Sequence, residues 1–304
     1  MDVQTNGITI LDGGMGGELA RRGASNRNEL WSAQALLDAP DVVAQVHRDY
    51  IEAGAQIITT NSYSTIPSYL GKLDLAGRYE ELTGLAARIA MDAAANVGPS
   101  IRVAGSMPPL DESYRADLVP DATAALPIYQ RLAAALDPFV DLFLCETMSC
   151  AQEAHNAALA ALEATAGSKP VWVSWTLAEQ PGRGLRSGES VAEAFAQLAD
   201  LDIAAFLFNC TTPEAIGEGL RQLSTLTDKP IGAYPNRLHI PERWTLDNEV
   251  ATELLDLSIH QYVTDALNWT ELGATLIGGC CGIGPEYIAA LDNALQTRTA
   301  NSQS

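Results

Sequence analysis

Cys280 and Cys281 stand side by side in Ile277-Gly278-Gly279-Cys280-Cys281-Gly282, at the end of an apolar run. Cys210 closes a second apolar run, Phe206-Leu207-Phe208-Asn209-Cys210. Short apolar runs of this kind read as strands, so two strand ends deliver cysteine among small residues. Three thiolates converging on one ion form a soft ligand set that suits zinc, one per chain, with a fourth position left open for chemistry. The competing reading of a lone cysteine is a small buried hydrophobe, and Cys145 and Cys150 fit it. A disulfide between Cys280 and Cys281 is disfavoured, because adjacent Cα atoms lie about 3.8 Å apart, below the usual disulfide range. His47, His155, His239 and His260 have no metal-ligand spacing to the cysteines, so they do not complete a closed structural site. Zinc held by three thiolates is a poor Lewis acid for water. It suits a further thiol, which it holds deprotonated as a nucleophile.

Such a cluster needs a rigid frame. Eight apolar runs recur, at 8–11, 56–60, 101–105, 142–145, 171–176, 203–209, 231–234 and 274–277, and helical patterns lie between them. Strands this apolar are covered on both faces, as in parallel sheets. The stretch from Pro40 to Gly54 carries Val42, Val43, Val46, Tyr50 and Ala53 on one stripe, and Leu82, Leu85, Ala86, Ile89 and Ala93 make another. Val191, Ala194, Phe195 and Leu198 make a third. Eight strand–helix units predict an α/β fold, a single (β/α)8 TIM barrel forming one domain over 1–304. A doubly wound open sheet is the alternative. The polar tail at 296–304 is expected to fray. In a barrel the chemistry sits at the C-terminal strand ends. There the chain offers Asp12-Gly13-Gly14, Thr60-Asn61-Ser62-Tyr63, Ser106, Glu146-Thr147, Trp175, Asn209-Cys210, Tyr234 and the Cys280-Cys281 pair.

These residues resemble the zinc-dependent homocysteine S-methyltransferases. The resemblance runs through Leu11-Asp12-Gly13-Gly14-Met15-Gly16, Leu30-Trp31-Ser32, the stretch from Val46 to Ala55, Thr59-Thr60-Asn61-Ser62-Tyr63, Glu146-Thr147, Asn209-Cys210-Thr211 and the Gly-Gly-Cys-Cys-Gly block at 278–282. It implies a (β/α)8 barrel, which the independent strand count also gives. It implies that Cys210, Cys280 and Cys281 hold zinc, that Glu146 takes the substrate ammonium, and that Asp12 belongs to the same pocket. A carboxylate and an ammonium do pair well by charge-assisted hydrogen bonds. On the residues alone Glu146 also reads as a solvated loop acid and Asp12 as a turn or cap residue. Free amides at Gly13 and Gly14 are expected to meet the substrate carboxylate. Asn61 and Asn209 read either as orienting groups or as buried structural amides. A cationic methyl donor prefers an aromatic face, worth about 0.5–2 kcal/mol. Trp31, Tyr63, Trp175 and Tyr234 are candidates, each with core packing as the plain alternative. The loop Arg237-Leu238-His239-Ile240-Pro241-Glu242-Arg243-Trp244 departs from the family pattern and is expected over the barrel mouth, where it bears on donor identity and on the identity of the thiol, a different thiol acceptor being the alternative to homocysteine.

The implied reaction is methyl transfer to the homocysteine thiolate, giving methionine. S-methylmethionine is the favoured donor, then S-adenosylmethionine, then betaine. Two other classes compete: a redox switch built on Cys280 and Cys281, and a silent zinc-binding scaffold. The net charge of −20, with only Lys72, Lys169 and Lys229, argues against nucleic acid and anionic membrane as partners. Five cysteines do not read as a disulfide framework, and the Met1–Gly7 segment does not read as a signal peptide, so a cytoplasmic setting is expected. Only 22 residues follow Gly282, which leads to the expectation of a monomer or weak homodimer.

Overall fold

The computed structural model describes residues 7–24, 30–241, 244–245 and 253–302. Its strands are β1 (Thr9–Ile10), β2 (Ile57–Thr59), β3 (Arg102–Met107), β4 (Leu142–Met148), β5 (Val171–Trp175), β6 (Ala205–Asn209), β7 (Ile231–Tyr234), the short β8 (Leu238–His239) and β9 (Glu253–Leu254), and β10 (Ala274–Ile277). Eight of them form one sheet in the order β1-β10-β7-β6-β5-β4-β3-β2, parallel throughout. Leu11 bridges Ile57, and the Gln56 N–H donates to the Ile10 carbonyl at 2.8 Å, so β2 meets β1 and the sheet closes into a (β/α)8 barrel. β8 and β9 form a separate antiparallel pair.

Period-two alternation divides the core into two layers. Leu11, Ile57, Ala104, Leu142, Leu144, Trp172, Ala205, Leu207, Tyr234 and Leu276 fill the barrel interior. Their chain neighbours, such as Phe143, Cys145, Phe206 and Phe208, point outward into the layer under the helices. Burying each such phenylalanine contributes about 1.5–3 kcal/mol. The helix Pro40–Glu52 starts on its proline and sends Val43, Val46 and Tyr50 inward, as the stripe in the sequence predicts, and buries His47, which the stripe does not include. The helix Val191–Ala196 is set by a capping box between Ser190 and Glu193, and it ends before Leu198.

Two expectations are corrected. β3 and β4 run on to Met107 and Met148, so Glu146 lies within a strand rather than after one. The tail does not fray at 296, because the last helix continues over Pro285–Ser302. Tyr287, Ile288, Leu291 and Leu295 anchor that helix in the core, and Arg298 pairs with Glu271. Met1 to Asn6, Glu242 and Arg243 lie outside the described residues. No helix among the described residues is long and apolar enough to cross a membrane.

Candidate active site

The alternation that builds the core also builds the site. Leu142 and Leu144 of β4 face the interior, so Glu146 continues their row into the barrel mouth. Ala205 and Leu207 of β6 do the same for Asn209, and Tyr234 ends the inward row of β7. Cys210 leaves β6 with φ 53°, a left-handed turn that costs a side-chain-bearing residue free energy. Cys280 and Cys281 follow β10, and β7 lies between the two cysteine-bearing strands. The β7 loop ties the pair down: the Cys280 N–H donates to the Pro235 carbonyl at 2.7 Å, and the Arg237 N–H to the Cys281 carbonyl at 2.8 Å. Only glycine fits opposite, since a Cβ on Gly14 would stand 2.6 Å from the Cys280 carbonyl oxygen.

Cys210 Sγ lies 2.6 Å from Cys280 Sγ and 3.8 Å from Cys281 Sγ, and all three sulfurs fall within 4.8 Å of one another. The edge of a tetrahedron with zinc–sulfur bonds of about 2.3 Å is about 3.8 Å, a spacing the Cys210–Cys281 pair matches and the Cys210–Cys280 pair would reach by separating around a shared soft ion. Hydrogen bonds from Cys280 and Cys281, and then from the Tyr114 hydroxyl at 3.1 Å, hold the Cys210 thiol well below its ordinary pKa. Its partners are pushed up by the same bonds. Cys145 is buried in the outer layer, and Cys150 caps the helix Ala151–Thr165, so neither joins the cluster.

The sulfurs open onto a cleft of about 840 Å³, a volume that includes space open to solvent. Glu146 lies in it at 8% exposure. Its Oε1 accepts from Ser106 Oγ at 2.5 Å and its Oε2 from the Tyr234 hydroxyl at 3.4 Å. Burial pushes the carboxyl up to about 8, against the hydrogen bond from Ser106, and the nearby Cys210 sulfur adds to the rise. Asp12 is pushed up to about 7, again by burial, while Thr59 donates to it from both its N–H at 2.7 Å and its hydroxyl at 3.1 Å. Two buried carboxyls in one cleft, neither paired with a cationic side chain among the described residues, make the space favourable for a cation. Trp31 and Tyr63 meet edge to face at 6.3 Å and form an aromatic corner of the same cleft.

The structure therefore gathers Asp12, Gly13, Gly14, Trp31, Asn61, Tyr63, Glu146, Cys210, Tyr234, Cys280 and Cys281 around one space. Some details differ from expectation. The Gly14 N–H is not free, because it donates to the Ile283 carbonyl at 2.9 Å. Asn209 does not line the cleft. Its Oδ1 accepts from the Thr147 N–H at 2.9 Å and Ser174 Oγ at 2.7 Å, and its Nδ2 donates to Thr147 Oγ1 at 2.8 Å. Those bonds pin the turn beside Glu146. Asn61 faces the cleft while donating to the Ser32 carbonyl at 3.1 Å. Trp175 is fully buried in the outer layer, stacked on Phe206 at 5.6 Å. The residue that sequence reasoning missed is Tyr114. It sits in an aperiodic loop after β3 with φ 67°, and nothing in its spacing marks it.

The chain matches the homocysteine S-methyltransferase family model over residues 9–295. It is 33% identical to the homocysteine S-methyltransferase of Escherichia coli (strain K12), over 93% of this chain and 94% of that one. It is 30% identical to one from Bacillus subtilis (strain 168), over 97% and 98%. A selenocysteine Se-methyltransferase of Brassica oleracea is 28% identical over 97% of this chain and 91% of its own. The metallated form of the Escherichia coli homocysteine methyltransferase MmuM superimposes with a TM-score of 0.79 at 29% identity, covering 94% of this chain and 96% of that chain. Fold, cleft and comparisons agree, and the chain belongs to the homocysteine S-methyltransferase family.

Proposed function

We propose that this one-domain barrel transfers a methyl group from a sulfonium donor to homocysteine, at a zinc ion held by Cys210, Cys280 and Cys281. The observation that carries the reading is the convergence of these three sulfurs and Glu146 on one cleft. When bound, zinc supplies the charge that keeps a substrate thiol deprotonated near neutral pH.

The remaining work falls to side chains. Glu146 accepts the substrate ammonium, with Ser106 and Tyr234 fixing the carboxylate so that its oxygens face the cleft. Asp12, held by Thr59, adds negative potential to the same cleft. The Trp31–Tyr63 corner offers aromatic faces to the cationic donor. The walls hold sulfur and methyl carbon in line and keep water from competing. A sulfur–carbon bond forms at homocysteine, the carbon–sulfonium bond breaks, and its electron pair stays on the departing thioether. S-methylmethionine is the favoured donor, ahead of S-adenosylmethionine and betaine.

The test is methionine formation from homocysteine with each of the three donors in parallel, on protein of measured zinc content. Cysteine and selenocysteine serve as competing acceptors. A sulfonium donor should give the fastest turnover on zinc-loaded protein. Turnover with betaine alone refutes the donor assignment, and full activity without zinc refutes the metal.

A further inference from the structure

Arg186 is costly and has no role in the chemistry above. It sits in the loop between β5 and the helix Val191–Ala196 with its side chain only 11% exposed, and its Nε and Nη2 make no hydrogen bond. A buried guanidinium with unmet donors is unfavourable unless something compensates. Two groups face it. Glu179 Oε1 lies 3.8 Å from Nη2. The guanidinium carbon lies 5.2 Å from the centroid of the Tyr114 ring, within cation–π reach. Tyr114 in turn donates its hydroxyl to Cys210 Sγ at 3.1 Å. Glu179 continues the contacts outward, with its Oε2 at 2.5 Å from His239 Nδ1 and its Oε1 accepting from the Ile240 N–H at 2.6 Å. Trp244 packs edge-on against Tyr114 at 5.8 Å. The loop that departs from the family pattern is thus joined to one sulfur of the cluster through Glu179, Arg186 and Tyr114.

We infer that Tyr114 and Arg186 are positioning residues of the three-sulfur centre, with Tyr114 drawing negative charge from Cys210 and Arg186 strengthening that hydrogen bond from above the ring. The inference rests on the metal-binding reading of Cys210, Cys280 and Cys281. A cation over an aromatic face withdraws electron density and makes the phenol a better donor. Three thiolates give a divalent ion a net negative surround. Charge drained from one sulfur leaves the centre better able to accept a fourth thiolate, and partners of metal ligands commonly act in this way.

The experiment uses the full chain loaded with Co2+ and reads the sulfur-to-cobalt charge-transfer band and the Kd of homocysteine. Tyr114→Phe keeps the ring and should move the band to longer wavelength and raise Kd about tenfold. Arg186→Met should shift both in the same direction by less. The double variant should match Tyr114→Phe alone, because Arg186 acts through the hydroxyl. Arg186→Lys, which keeps a cation at the ring, should recover part of the Arg186→Met loss. Circular dichroism establishes that each variant is folded, and Tyr114→Phe with Arg186→Lys still decides the matter if Arg186→Met does not fold. An unmoved band in Tyr114→Phe, or effects that add in the double variant, overturns the inference. A chain that binds no cobalt through sulfur overturns the metal reading beneath it, a result distinct from bound cobalt with unchanged spectra.

Discussion

Replacing Glu146 by Gln keeps the shape of the side chain and removes the charge proposed to hold the substrate ammonium. A hydrogen bond to a charged group contributes roughly 1.5–3 kcal/mol. Burial complicates the arithmetic, because the carboxyl is pushed up to about 8 and must ionise before it can pair. Near pH 7 that ionisation costs about 1.4 kcal/mol, and near pH 8.5 only about 0.2 kcal/mol, at about 1.36 kcal/mol per pKa unit. The wild-type chain should therefore gain affinity for homocysteine as pH rises over this interval. Glu146→Gln should lack that part of the gain and keep the part that comes from the substrate thiol. The ratio of variant to wild-type Kd should grow about eightfold between about pH 7 and 8.5, the ~1.2 kcal/mol difference in ionisation cost. Isothermal titration calorimetry on zinc-loaded protein at several pH values measures it. A ratio that stays flat across the interval refutes the assignment and moves attention to Asp12, and a fall in zinc content on Glu146→Gln would show that the carboxylate serves the metal instead.

Single Ser substitutions at Cys210, Cys280 or Cys281 should each abolish zinc binding and activity together, whereas Cys145→Ser should leave the measured metal content near one per chain. Trp31→Ala should raise the donor KM several-fold while homocysteine KM stays nearly constant, as parallel steady-state titrations would show. His47 is buried in the core with neither ring nitrogen hydrogen-bonded, and burial lowers its pKa to about 4. The unfolded chain takes up this proton near pH 6.5 and the folded chain resists it. His47 therefore adds no pH-dependent cost well above pH 6.5 and destabilises progressively as pH falls towards 4. Urea midpoints should show His47→Leu losing about 2 kcal/mol less than wild type between about pH 7 and 4.5, and equal losses would mean the imidazole is hydrated.

Much of this was legible because strands repeat with period two. The apolar runs gave the eight barrel strands, and the parity of Leu142 and Leu144 carries Glu146 into the mouth while sending Cys145 outward. The cysteine cluster was legible because adjacent cysteines at a strand end have few structural uses. What resisted reading were contacts made by loops. Tyr114 reaches Cys210 across 96 residues of chain from an aperiodic segment. Whether a strand-end amide is free depends on a partner distant in sequence, as Gly14 and Ile283 illustrate. Asn209 sits beside a ligand and yet serves the turn at Thr147, because its three polar contacts are already filled.

The chain interval between Cys210 and Cys280 has a kinetic meaning. The two sulfurs meet across 70 residues, and that interval contains all of β7 and β10, with β10, the last barrel strand in chain order, forming the seam against β1. An ion shared by them is a cross-link over a long loop, and long loops are where such clips restrict the unfolded ensemble most. During synthesis Cys210 emerges well before its partners, so the ion can be captured by all three sulfurs only after the seam-forming strand has left the ribosome. Metal loading thereby becomes a report on barrel closure. Amide exchange in β7 and β10 should slow on loading far more than in β3 and β4, which lie on the other side of the ring.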